Sequence, residues 1–175
     1  MTQPELRRLV VLRHARAEAE NAGGDAGRPL ALEGRRQASV VGRALRDAGL
    51  RPDVVLCSTA LRTRQTWELA SAAWGAQAPS VVWHDDLYDA GAADVLRCVH
   101  EVASDVRTVL VVGHEPAVSG TARLLAGSAA QDATVAAAVR VGVPVATRVV
   151  LSSALPWSAW APGCATLEEV VAPGE

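Results

Sequence analysis

The sequence predicts an α/β fold: a three-layer sandwich with a mostly parallel central sheet and helices on both faces, in a single compact domain spanning residues 1–175. Two observations carry this reading. Short aliphatic, β-branched runs alternate along the chain with longer stretches whose apolar residues recur at helical spacing. Three of the four helical stretches also end at glycine, and in sequence they alternate with the strands, an order that predicts a mostly parallel sheet.

The first strand is Leu9 to Leu12, four aliphatic residues in a row, as in a strand buried on both faces. Leu32 to Ala48 follows as a helix, with Ala38, Val41, Leu45 and Ala48 on one stripe, and it stops at Gly49 with Pro52 beyond. Val54 to Leu56 is the second strand. Thr59 to Trp74 is the next helix, capped by Ser58 or Thr59 and ended by Gly75. Val81 to Trp83 and Val109 to Val112 are the third and fourth strands, and helices are expected over Ala92 to Ala103 and Ala117 to Ala126.

The last third is less regular. Ser128 to Ala138 is Ala-rich and ambiguous, while Thr147 to Leu151 and Thr166 to Val170 read as late edge strands. Between them "ALPWSAWAPG", Ala154 to Gly163, is a connection whose two tryptophans are expected to cover the sheet edge. Neither an internal repeat nor a linker is visible.

Composition narrows the function. At 175 residues, half of them hydrophobic, the chain can bury a core without staples, and no apolar run approaches the roughly 20 residues that span a bilayer. The first eight residues lack the apolar stretch of a signal peptide, so a soluble, cytoplasmic protein is expected. A net charge of −2 gives no basic footprint for nucleic acid. All 17 cationic residues are arginine, so the mere use of arginine carries no information and its position must. Cys57, Cys98 and Cys164 are odd in number and far apart with no C-x-x-C, which excludes a disulfide framework and a cysteine zinc site.

Position is informative at the carboxyl ends of the strands, where open α/β sheets hold their ligands. The first strand delivers Arg13 and His14. The second delivers Cys57 and Ser58, and Arg62 follows one helical turn later. The fourth delivers Gly113 and His114. Taken singly, Arg13 is a strand surfacing, Arg62 a solvated helix face and each histidine a polar cap. Together they bring two arginines and two histidines to one place, a group that repels itself unless a multivalent anion sits among them. Phosphate fits.

The stretches "LRHARAE" (Leu12 to Glu18), "RPLALEGRRQA" (Arg28 to Ala38), "CSTALRTRQT" (Cys57 to Thr66), "LYDA" (Leu87 to Ala90) and "VVGHEP" (Val111 to Pro116) resemble, in order, the motifs of the histidine phosphatase superfamily, which has the phosphoglycerate mutase-like fold. Its small phosphohistidine phosphatase branch is the part they resemble. The resemblance covers roughly Leu9 to Leu125. Further on, the family's Pro-Thr before a late strand is replaced by Pro144, Val145, Ala146 and Thr147, which bears on strand register rather than on the chemistry.

The resemblance implies that His14 is the nucleophile, forming a phosphohistidine that water hydrolyses. It implies that Arg13, Arg62 and His114 clamp the phosphoryl oxygens, with Arg28 as a fourth, loop-borne cation. It implies no metal and no cofactor, since the arginines supply the charge. Physical chemistry agrees on one point: imidazole attacks only when neutral, and adjacent Arg13 and Arg62 disfavour the imidazolium. The other ring nitrogen is then expected to donate to a backbone carbonyl.

Larger members of the family protonate the leaving group with a carboxylate near the position of Asp89. Asp89 is accordingly the candidate general acid and Asp86 the weaker one, against the competing reading of a capping or loop aspartate. An imidazole leaving group, with a pKa of about 6.5, needs far less help than an alkoxide. Only one helix fits between Asp89 and Gly113, without a lid, and an uncapped site admits a protein side chain. The expected substrate is therefore phosphohistidine on a protein. The alternatives are a broad small-molecule phosphomonoesterase or sugar-phosphate mutase, and a phosphate-binding docking module without turnover.

Two rivals fail on spacing. Cysteine phosphatases need C-x5-R, and here Cys57 to Arg62 is C-x4-R, so Cys57 reads as a packed thiol. His14, His84, His100 and His114 show no H-x3-H or H-E-x-x-H pattern for a metal, and His84 and His100 read as surface or core-edge residues.

Overall fold

The apolar run near the N-terminus forms the middle of strand β1 (Arg7–Arg13), in which Leu9 to Leu12 are all at most 1% exposed. The structure is a computed structural model that describes residues 6–20, 22–127 and 137–174. β1 is followed by α1 (Leu32–Asp47), β2 (Val54–Ser58), α2 (Leu61–Ser71), β3 (Ser80–His84), α3 (Ala92–His100), β4 (Thr108–Gly113), α4 (Ala117–Leu125), β5 (Arg148–Ser153) and β6 (Thr166–Val171). The strands form one six-stranded sheet in the order β3-β2-β4-β1-β5-β6. β1 to β4 run parallel, β5 runs antiparallel to β1, and β6 antiparallel to β5.

The strand period of two divides the core between the faces. Val10, Leu12, Val55, Cys57, Leu110 and Val112 point to one side, where they meet Ala38, Val41 and Leu45 of α1 and Trp67 and Ala70 of α2. Leu9, Val11, Leu56, Val109 and Val111 point to the other side, against α3 and α4. Each buried aliphatic side chain contributes about 1.5–3 kcal/mol. The sandwich with helices on both faces is the architecture that the alternation of runs predicts.

α1 and α2 approach closely because Gly42 has no side chain: a Cβ there would lie 2.2 Å from the backbone oxygen of Ala70. At Gly34 a Cβ would meet the Arg16 carbonyl oxygen at 2.0 Å, so α1 also packs tightly on the loop that leaves β1.

Several expectations need correction. β5 is not an edge strand: β1 and β6 flank it, and only β6 lies at that edge. Trp157 and Trp160 do not cover an edge either. Each is 1% exposed, their rings lie 4.9 Å apart within the core beside α3 and α4, and the Trp157 indole donates to the Val106 carbonyl at 2.9 Å. The helix expected over Thr59–Trp74 is α2 followed by a 3-10 segment, Ala72–Gln77, broken at Gly75, whose φ is 54°. Neither Ser58 nor Thr59 caps it, because Ser58 Oγ lies against His114 and Thr59 donates to Asp85. α3 ends at His100, one turn early. Of the ambiguous stretch Ser128 to Ala138, residues 128–136 lie outside the described residues.

Among the described residues no helix is long and apolar enough to cross a membrane.

Candidate active site

The parallel strands β1, β2 and β4 all end on the same side of the sheet, and the singled-out polar residues gather there. Arg13 is the last residue of β1 and His14 follows it. The His14 backbone is held on both sides: its N–H donates to Gly113 O at the end of β4, and its carbonyl accepts the N–H of Ala146. Ala146 is buried and has a φ of 58°, a left-handed conformation that costs an alanine about 1–2 kcal/mol. That cost is borne where β5 begins, directly behind His14.

The His14 ring is fixed as well. Nδ1 lies 2.8 Å from the Ala15 carbonyl, and a carbonyl only accepts, so Nδ1 carries the proton. Nε2 keeps its lone pair. Burial, reinforced by the charges of Arg62, Arg13 and Arg28, pushes the ring down to about 4, while the bond to Ala15 opposes the shift. The arginines expected to cause this depression contribute less than desolvation does. His14 is therefore neutral at pH 7.

His114 lies 5.2 Å from His14, centroid to centroid. It is 7% exposed, its Nε2 is 2.9 Å from Ser58 Oγ, and burial, then Arg62 and His14, push it down to about 3. Arg62, on the first turn of α2, is also 7% exposed, and its guanidinium lies 5.7 Å from the centre of the Tyr88 ring. That ring in turn meets His114 edge-on at 5.7 Å.

Residues 15–20 and 22–31, on the connection that leaves β1, fold over this group. The two arms of the connection pair through Ala17 and Leu30, and its tip, the 3-10 turn Asp25–Gly27, carries a carboxylate that the sequence argument missed. Asp25 accepts from Arg62 at 2.9 Å, from Arg28 at 2.9 Å and from the Tyr88 hydroxyl at 2.5 Å, and its own carbonyl accepts a second Arg62 bond at 2.7 Å. Tyr88 foremost, then Arg28 and Arg62, hold this carboxyl well below the usual range. Arg28 thus joins the group through Asp25. Asp25 stands three residues before Arg28 in a glycine-rich stretch, and Tyr88 lies inside "LYDA"; no local pattern marks either one.

Three nitrogens remain to be paired. Nε of Arg13, Nε of Arg62 and Nδ1 of His114 are buried without a hydrogen-bond partner among the described residues. A buried polar group left unpaired costs about 1–3 kcal/mol; the two arginine nitrogens are donors, and Nδ1 of His114 is a third when the Ser58 hydroxyl gives its hydrogen to Nε2, so the group suits an oxyanion.

Asp89 is exposed, one residue beyond Tyr88, and is not drawn into this network; Asp86 lies 3.8 Å from Arg97. Cys57 is fully buried and burial raises its thiol pKa strongly, so it stays protonated. His84 approaches Cys98 Sγ at 3.9 Å, and His100 Nε2 donates to the Trp160 carbonyl at 2.7 Å, both remote from the cluster in sequence and bonded elsewhere. Among the described residues no group of three or more His, Cys, Asp or Glu side chains is placed to hold a metal ion.

Comparison with known proteins gives a consistent picture. Residues 9–94 match the family model of the histidine phosphatase superfamily, branch 1. The chain is 39% identical over 156 residues to an uncharacterized protein of Mycobacterium tuberculosis, covering 89% of this chain and 96% of that one. Among solved structures it is similar to a candidate phosphohistidine phosphatase SixA from Nakamurella multipartitia, with 35% identity, a TM-score of 0.85, and 97% and 98% of the two chains covered. A second candidate phosphohistidine phosphatase SixA, from Agrobacterium tumefaciens, is 28% identical with a TM-score of 0.78, covering 95% of this chain and 98% of that one.

Proposed function

The chain belongs to the histidine phosphatase superfamily, branch 1, and from that premise we propose that it is a phosphatase that removes phosphoryl groups from phosphohistidine in proteins, through a phosphorylated His14. The observation that carries the proposal is the set of three buried, unpaired nitrogens, on Arg13, Arg62 and His114, beside a neutral imidazole whose Nδ1–H is bound to Ala15 and whose Nε2 holds the lone pair.

In the first step Nε2 of His14 attacks phosphorus; the new P–N bond forms as the bond to the leaving group breaks. Arg13, Arg62 and the Nδ1–H of His114 hold the phosphoryl oxygens, with Arg28 adding charge from the loop. Such donors are already in place before the reaction, so they stabilise the transition state without reorganising. The departing imidazole of a phosphohistidine takes its proton from solvent. In the second step water attacks phosphorus, the P–Nε2 bond breaks, phosphate leaves, and the water's proton passes to the phosphate or to solvent.

Asp89 has a place in this scheme as the proton donor to leaving groups more basic than imidazole. Its exposed position beside Tyr88 suits a residue that meets the substrate's outer side. Specificity for protein-borne phosphohistidine is supported by the segment between Asp89 and β4, which holds α3 and no further helix or strand. The two SixA relatives above 25% identity also support it.

The test is to compare kcat/KM on a phosphohistidine peptide, a sugar phosphate and an aryl phosphate. A value at least about tenfold higher on the peptide is expected. Higher values on the small esters would make the protein a general phosphomonoesterase, and stoichiometric binding of the peptide without turnover of any compound would make it a docking module.

A further inference from the structure

Beside the cradle lies a second, open depression of about 550 Å³, lined by Arg13, Glu115, Ser119, Arg123, Arg140 and Val143 among others. Arg13 belongs to both, so the depression adjoins the phosphoryl site. Its other lining residues take no part in the proposed phosphoryl transfer.

Its outer wall is a turn held by side chains from active-site elements. The Val143 carbonyl accepts from Arg13 at 2.6 Å, and the Val143 N–H donates to Glu115 Oε1 at 2.9 Å. Arg123, on α4, donates to the Val139 carbonyl at 2.6 Å and to Ser119 Oγ at 3.2 Å. The segment from Val139 to Val143 is therefore clamped from three directions, and the depression is preorganised. Glu115, the lone carboxylate on its lining, already has both oxygens occupied, Oε1 by Val143 and Oε2 by the Ser119 hydroxyl at 2.7 Å. The three arginines leave the lining net positive. Arg140 is exposed and, among the described residues, makes no side-chain ion pair or hydrogen bond.

A preorganised cationic wall with a free guanidinium beside a phosphoryl site is complementary to a second negative charge on the same substrate. A volume of this size is that of a site for a drug-sized ligand, so it exceeds what one carboxylate needs and has room for the residue that bears it. Building on the reading of the substrate as a phosphoprotein, we propose that this depression is a specificity subsite for an acidic side chain flanking the phosphohistidine, with Arg140 as its principal recognition residue and Arg123 as the residue that positions its wall. Selection then acts through the substrate's neighbouring carboxylate, while Arg13 reads the phosphoryl group.

Binding and turnover test it separately. Two phosphohistidine peptides are compared, one with aspartates within four positions of the histidine and one with asparagines there, on the His14→Ala protein, which binds without reacting. The acidic peptide should bind about tenfold more tightly, and adding Arg140→Gln should bring the two within about twofold of each other. Equal binding by the parent, or an undiminished preference after Arg140→Gln, overturns the subsite. In the second arm, phosphoramidate, which has no flank, is hydrolysed by the protein with His14 intact. Arg140→Gln should leave that rate unchanged, and its loss would place Arg140 in the cradle and overturn the assignment. An inactive protein in that arm refutes the phosphatase reading alone, because the binding arm still decides the subsite.

Discussion

The imidazoles of His14 and His114 lie 5.2 Å apart with their planes tilted by 55°, one contributed by the end of β1 and the other by the end of β4. Two imidazolium ions at that separation, with Arg62 and Arg13 beside them, would repel strongly. Burial and the neighbouring arginines hold both rings neutral at pH 7, so neither repels the other as a cation.

That arrangement makes stability depend on pH. The folded rings titrate at about 4 and about 3, against 6.5 when unperturbed. Between those values the unfolded chain binds protons that the folded chain refuses, so stability falls as the pH drops from about 6.5 towards 4. Each histidine contributes a slope of up to about 1.4 kcal/mol per pH unit. Urea melts across that window check it, and His114→Asn should remove one proton's share. A flat profile between about pH 6.5 and 4.5 would contradict the assignment.

Asp25 is expected to position Arg62 rather than donate protons, because its carboxyl stays ionised at every working pH. Asp25→Asn should lower kcat/KM about tenfold and leave the pH profile of kcat unmoved; it should also lower the urea midpoint, because Arg62 loses its ionic partner and keeps only neutral acceptors at position 25. If Asp25 were a general acid, the variant would instead lose one limb of the profile.

Asp89→Asn separates substrates by the basicity of their leaving groups. Turnover of an alkyl phosphate should fall more than about tenfold, while phosphohistidine turnover stays within about twofold. Equal losses on both would give Asp89 a role in binding, and no loss on either would leave it a loop residue.

The contact between α1 and α2 gives a test of the scaffold. Gly42→Ala puts a methyl group 2.2 Å from a backbone oxygen that has no flexible chain end to move. Overpacking of this kind costs about 1–3 kcal/mol, readable as a lower urea midpoint.

The legible parts of the fold were those set by short-range periodicity. β1 and α1 follow from Leu9 to Leu12 and from the stripe Ala38, Val41, Leu45, because burial on one face writes a local pattern. The place of β5 does not: whether a late strand inserts beside β1 or stays at an edge depends on pairing across more than a hundred residues. Trp157 and Trp160 misled for a related reason, since their burial against α3 and α4 leaves no mark in a stretch rich in proline and glycine. At the site, Arg13, His14, Arg62 and His114 could be read from the strand ends. Asp25 and Tyr88 could not, because their meeting is made by a loop folding back over the sheet, 63 residues apart in the chain.

In the proposed cycle His14 carries the phosphoryl group between substrate and water. The protein is mixed with a radiolabelled phosphohistidine peptide and quenched rapidly in base, and the label on the protein is mapped and then exposed to acid. Label is expected on His14 that survives base and is lost in acid, and none on the His14→Ala variant, whose urea midpoint matches that of the parent. Label on another residue, label that withstands acid, or undiminished labelling of His14→Ala would contradict it.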